Sequence, residues 1–263
     1  MLTIYKNELK TNLKSLLIWV LCVGGMGFAC ILLFADLADS MKGMAESFAS
    51  MGAFSDAFGM NQLSIATLSG FYATEIGTIH TLGGAMFAAI CSICMLSKEE
   101  DGHTSEFLFS LPVSRVQVVT AKWLTITTLI LLFNLLCVLF YLTGISMLGE
   151  EIALKEFCLY HTLQFVMHLE LAAICFTMSA CMKKNRFGMG LGVVLFLYAY
   201  DLISKITPNL SDYKLLSPFS FANASDIFST GKSDIAALIL GGSILLGCIC
   251  ITLLLYKKRD LAA

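Results

Sequence analysis

Charge is what this 263-residue chain has least of. Only 14% of its residues are Asp, Glu, Lys or Arg and 57% are hydrophobic, whereas an average soluble domain carries about 25% charged residues. The deficit runs along the whole chain, which excludes an ordinary soluble domain and points to an integral membrane protein. Proline is nearly absent, with three in all, and nineteen phenylalanines argue against disorder. The net charge of −2 comes without any basic domain, so no nucleic-acid partner is expected. There is no H-E-x-x-H and no G-x-S-x-G, so neither zincin nor serine-hydrolase chemistry is encoded, and no catalytic residue or metal site is assigned.

Three partial motifs fail on context. Ten cysteines all lie in or beside apolar runs, where a thiol behaves as a small hydrophobe. Cys91-Ser-Ile-Cys94 has redox or metal spacing, but no second pair accompanies it. Gly231-Lys232-Ser233 resembles the tail of a phosphate-binding loop, yet Asp226 stands where the first glycine is required. Gly188-Met-Gly190-Leu-Gly192 opens an apolar helix and follows no strand, so close helix packing is the better reading. The chain is therefore expected to bind no cofactor itself.

Six runs are long enough to cross a bilayer, which takes about 20 apolar residues. They are 16–35, 76–97, 123–147, 157–182, 187–204 and 235–256. With the N-terminus inside, twelve Lys and Arg fall on the cytoplasmic side and five outside, accounting for all 17. All three arginines are inside, so both termini are expected in the cytoplasm. The opening MLTIYKNELKTNLK is amphipathic and runs into a full-length span without a small-residue cleavage site, so it does not read as a cleavable signal peptide.

Two outer segments are long, 36–75 and 206–234. In the first, Leu37, Met41, Met44, Phe48, Met51, Phe54 and Phe58 recur at helical spacing. The stripe reads either as a helix lying on the outer leaflet or on its own protein, or as a soft surface at a substrate exit. In the second, Pro208, Pro218 and the apolar LLSPFSFAN predict short helices packed back onto the bundle. Within the fourth span, His161, Gln164 and His168 share one face, and Glu170 lies about 160° round from His161 at 100° per residue. Ionisable groups at such depth are functional candidates; the alternative is that they are satisfied within the bundle.

The segment KEEDGHTSEFLFSLPVSR, Lys98–Arg115, joins the second and third spans. Asp101 and Thr104 are candidate caps for a short helix from about Thr104 to Leu111. That helix must end before Pro112. Ser114 is placed to cap the next helix, which carries Arg115 and Lys122 into the third span. The phenylalanines need the membrane surface or a cytosolic partner.

These residues, Glu99–Arg115, resemble the corresponding segment of membrane subunits of ATP-binding-cassette exporters, the type 2 export permease family. LSPFSF at Leu216–Phe221 and the ending Tyr256-Lys-Lys-Arg-Asp260 are similar to later parts of the family pattern. His103, between Gly102 and Thr104, departs from it. The resemblance implies an all-α integral membrane protein: six transmembrane helices, an N-terminal interfacial helix and a cytoplasmic coupling helix between spans 2 and 3. The whole of 1–263 would be one permease domain.

It implies that Glu99, Glu100, Glu106, Phe107, Leu108, Phe109 and Arg115 couple the chain to a separate ATPase. The acids would pair with bases there or at the bundle base, and Arg115 would tie the segment to the membrane domain. ATP and Mg would be held by that partner. Two permease copies, or this chain and a paralogue, would assemble with two ATPases in a bacterial-type plasma membrane, and Lys6, Lys10 and Lys14 of the interfacial helix Leu2–Lys14 would meet anionic headgroups of membrane lipids. Met86, Phe87, Phe187, Met189, Phe196 and Tyr200 would line a path for a hydrophobic or amphipathic substrate, with a peptide toxin or antimicrobial peptide favoured and a drug or lipid also fitting. Two other classes stay open: a proton-coupled secondary transporter using Glu170 and the histidines, and a toxin-binding immunity or signalling subunit that transports nothing.

Overall fold

A computed structural model of the chain describes residues 1–110 and 112–259, apart from the side chains of Asp39, Phe109 and Ser211. The described residues are helical throughout and contain no strand. Eleven α-helices follow one another, of which six are long and apolar enough to cross a membrane.

Helix α1 (Leu2–Ala49) is 48 residues long. At 1.5 Å per residue it extends about 70 Å, more than twice the bilayer's hydrocarbon core. The expected interfacial helix is therefore not a separate element. Nothing between Leu2 and the first span breaks the helix, so the amphipathic stretch forms its opening turns. At the other end α1 carries the Met/Phe stripe outward until Gly52, whose φ of +59° ends the run, and α2 (Ala53–Phe58) turns back. The first part of the stripe thus extends a spanning helix, a difference from the expectation of a helix lying on the leaflet.

The second span is α3 (Leu68–Phe71), a π-helical turn Tyr72–Ile76 and α4 (Gly77–Ile93) in one rod. It stops four residues before the expected Ser97. Ser179 Oγ accepts the N–H of Leu96 and of Ser97, at 2.9 and 3.2 Å, which diverts these groups from a continuing helix. Two short helices follow, α5 (Lys98–Asp101) and α6 (Ser105–Ser110).

Helices α7 (Arg115–Leu148), α8 (Leu154–Cys181), α9 (Phe187–Ile206) and α11 (Ile235–Lys258) make the other four spans. The outer connection from α9 runs through a 3-10 segment, Pro208–Leu216, and α10 (Ala224–Thr230). It packs back as expected, with Phe219 and Phe221 buried. Asn223 caps α10 by accepting from Ser225 N and Asp226 N, and Gly231 closes it with φ +66°. The Gly-Lys-Ser sequence is thus a helix C-terminus. Helix α1 lies along α7, while α8 packs between α4 and α11. Cys91 and Cys94 are free thiols buried among the apolar side chains there.

Candidate functional site

The base of the bundle is built around one buried cation. Lys122, near the start of α7, is wholly removed from solvent. Its ammonium donates to Met95 O at 2.6 Å, pairs with Glu99 on α5, and stands 3.2 Å from Glu8 Oε1 on α1. Glu8 also pairs with Lys98. A buried ammonium is costly unless its donors are satisfied, and three acceptors from three elements supply that here. The arrangement clamps the 98–101 turn between α1 and α7.

A second clamp lies alongside. Glu100 is buried and faces Arg259 Nη2 at 2.7 Å. The same guanidinium donates to Ala180 O and, at 2.6 Å, to Met182 O. It thereby satisfies carbonyls left open at the C-terminus of α8. Arg115 Nη1 donates to Tyr256 O at 3.3 Å and to Arg259 O. The start of α7 and the end of α11 are joined in this way. Ser97 Oγ donates to Asn185 Oδ1 at 3.1 Å, tying the same turn to the α8–α9 connection.

Between the clamps and α7 the chain protrudes. His103 takes φ +53°, a left-handed conformation that costs a residue with a Cβ about 1–2 kcal/mol. The adjacent Gly102 does not take it. Asp101 is the last residue of α5 and caps nothing; this part of the expectation is corrected. Thr104 precedes α6, and its carbonyl accepts from Leu108 N at 3.0 Å. Ser114 caps α7 in a reciprocal capping box with Gln117, because the S-x-x-Q spacing lets each side chain reach the other's backbone N–H.

The segment's expected contact residues divide in two. Glu99, Glu100 and Arg115 face the bundle base and are engaged within the chain. Glu106 is exposed, and Phe107 is 72% exposed. Leu108 is half-buried against an apolar cluster that includes Val118 and Tyr256. The side chain of Phe109, like all of Leu111, lies outside the described residues. Sequence reasoning gave no role to Glu8 or Arg259. Glu8 hides among three lysines of an amphipathic stretch, and Arg259 among the cations of a span end.

The six residues expected along a substrate path do not form one surface. Phe87 is fully buried, stacked 4.9 Å from Phe133, and Met86 is half-buried against the same core. Phe187, Met189 and Phe196 are exposed on α9, and Phe196 is 71% exposed. Tyr200 Oη donates to Tyr213 O at 2.8 Å. Met189, Phe196 and Tyr200 share one side of α9 by helical spacing, with Phe187 on another. Phe87 is withdrawn from all of them.

A second polar constellation fills the bundle's middle. His80 on α4 faces both His161 and His168 on α8, with ring centroids 4.8 and 5.6 Å apart. Tyr72 Oη meets His161 Nε2 at 2.7 Å. His80 meets Tyr141 Oη at 3.2 Å and Asn134 Oδ1 at 3.1 Å, and Asn134 Nδ2 reaches His168 Nδ1 at 3.3 Å. Gln164 Nε2 donates to Thr81 Oγ1 and Ala222 O, each at 2.8 Å. The face seen in the fourth span is thus met mainly by other helices, while His161 Nδ1 and Gln164 Oε1 are buried without a hydrogen-bond partner. Glu170 is buried elsewhere, against Gly241 and Phe221, and its Oε2 has no hydrogen-bond partner. The structure therefore separates it from the histidines. Among the described residues no His, Cys, Asp or Glu group is arranged to hold a metal.

Among curated proteins, no sequence matches this chain significantly. The sequence model of the ABC-2 family transporter protein matches residues 2–261. Six spanning helices, a clamped short helix followed by a protruding one at one end and this match over nearly the whole length agree: the chain belongs to the ABC-2 transporter family and is a multi-pass membrane protein.

Proposed function

We propose that the chain is the membrane-spanning subunit of an ATP-driven exporter, energised by a separate ATP-binding subunit that docks on α6. The observation that carries this reading is the division of labour within 98–115. Lys98, Glu99, Glu100 and Arg115 fasten the segment to α1, α7 and α11, and through Arg259 to the end of α8, while Glu106 and Phe107 project from it unburied. A push on α6 is thereby delivered to four spanning helices at once, through ion pairs rather than through a slack loop. Glu106 supplies a charge for orientation and Phe107 an apolar anchor for a cleft on the ATPase. ATP and Mg stay on that partner.

Two such chains, or this one and a paralogue, assemble around the outward path, with both termini on the cytoplasmic side of a bacterial-type plasma membrane. The exposed aromatic and Met side chains of α9 suit a hydrophobic or amphipathic cargo, an amphipathic peptide above others. The test is co-expression with candidate ATPase subunits, co-purification, and ATPase stimulation by a panel of peptides, drugs and lipids. Recruitment of an ATPase whose activity rises with cargo supports the reading. A chain that transports in a proton gradient without any ATPase overturns it.

A further inference from the structure

The connection between α8 and α9 and the last turn of α11 enclose two grooves that meet at Cys181. One, ≈ 400 Å³, has Lys183, Lys184 and Arg186 on its rim and Met189 on its wall. The other, ≈ 470 Å³, has Leu254 and Leu255 on its wall and Lys258 on its rim. The transport reading draws on Met189 and Arg259 but gives the cations of the rim no role.

Their charge is uncompensated. Lys98, Lys122 and Arg259 at the same end of the bundle are all ion-paired. Lys183, Lys184, Arg186 and Lys258 are exposed and form no ion pair among the described residues. The nearby carbonyls of Ala180 and Met182, which would otherwise offset them, are already bound by Arg259. The groove wall is also the first turn of α9, a 20-residue helix with no acid in that turn and no side-chain cap. Its dipole favours an anion, although the Met189 N–H already donates to Arg186 O. Beside this cationic rim run the two least buried spans, with only 22% of the apolar window of α9 and 11% of that of α11 covered by protein. Cations at the level of the span ends, over apolar flanks open to the side, match a phosphate headgroup carrying acyl chains.

We propose that these joined grooves bind an anionic glycerophospholipid. Its phosphate sits against Lys183, Lys184 and Arg186, and its chains lie along the outer face of α11 beside Leu254 and Leu255. Charge complementarity commits the site to an acidic lipid over a zwitterionic one.

The test uses the full chain in nanodiscs of equal phosphatidylglycerol and phosphatidylcholine, followed by mild detergent extraction and mass spectrometry of the lipid retained. Wild type is expected to retain phosphatidylglycerol selectively. Lys183→Gln and Lys184→Gln should each weaken retention about fivefold, the effect of one cation near an anionic surface. Both lysines are exposed and unpaired, so folding is not at stake, and an unchanged melting temperature verifies that. Lys6→Gln and Lys10→Gln remove charge that meets bulk headgroups from exposed positions on α1 outside the grooves, and should leave the lipid retained through extraction unchanged. Equal losses in both sets would mean diffuse surface attraction and overturn the proposal. So would displacement of the signal by millimolar glycerol 3-phosphate, which indicates a free-phosphate site. Unchanged lipid retention with lost ATPase co-purification would assign the face to a protein partner instead, and absence of lipid selectivity in wild type ends the proposal.

Discussion

Lys122 Nζ on α7 and the Glu8 carboxylate on α1 stand 3.2 Å apart with the lysine shut off from solvent. The pair joins the first and third spans at the point where Glu99 also lands. One side chain therefore holds three elements, and its loss leaves Glu99 without its cation and Glu8 with Lys98 alone.

Lys122→Met is expected to destabilise the protein by about 3–5 kcal/mol, the range for removing one partner of a buried ion pair. Adding Glu8→Gln and Glu99→Gln should recover much of that loss, because neutral partners no longer need the ammonium. Thermal unfolding in detergent, read by the fluorescence of Trp19 and Trp123, measures both effects. A Lys122→Met variant that melts like wild type removes the clamp from the argument.

Arg259→Ala should cost a similar amount, since it strips Glu100 of its only ion pair among the described residues and reopens two carbonyls at the end of α8. Glu100→Gln should be less severe. The double variant is expected to fall short of the sum of the two, as for residues sharing one contact. Additive losses in the melting curves would show that the two side chains do not act together.

Glu106→Lys and Phe107→Ala should leave the melting temperature unchanged and act only on the partner. Burying a phenylalanine contributes about 1.5–3 kcal/mol, so Phe107→Ala is expected to weaken ATPase binding by roughly 10- to 100-fold. Pull-down titration measures it directly. Glu106→Lys should lower cargo-stimulated ATPase activity; normal coupled activity in that variant sinks the role given to Glu106.

In the bundle's middle, a methyl at Gly84 would run into the His168 ring. Gly84→Ala is expected to cost about 1–3 kcal/mol as overpacking and to disturb the His168–Asn134 contact. Gly192→Ala is the control: it meets open space and should be neutral or stabilising by up to about 1 kcal/mol, as for alanine in a helix interior. Equal effects at the two sites would deny the tight fit around His168.

Local patterns were legible wherever the cause is local. The S-x-x-Q of Ser114 and Gln117 announces a helix start because both hydrogen bonds close within one turn. The six spans are readable from length and apolarity alone. The His161–Gln164–His168 face is visible in its own helix, but His80 in another span gives no sign that it will stand against it. Glu170 shows the reverse: two residues from His168 in sequence, it is carried by the helical turn to the face that meets α11.

What the sequence by itself determined is the membrane, the helices and the polar segment between the second and third spans. Those follow from the cost of unpaired backbone in lipid and from 3.6-residue periodicity. Only the tertiary structure decided that α1 runs unbroken into the outer stripe, that Phe87 is core while Phe196 is exposed, and that Glu99 and Glu100 are fasteners while Glu106 is free to meet a partner. A carboxylate beside another carboxylate in sequence carries no mark of its future partner. Lys122, Arg259 and Glu8 come from three different parts of the chain, and only packing brings them together.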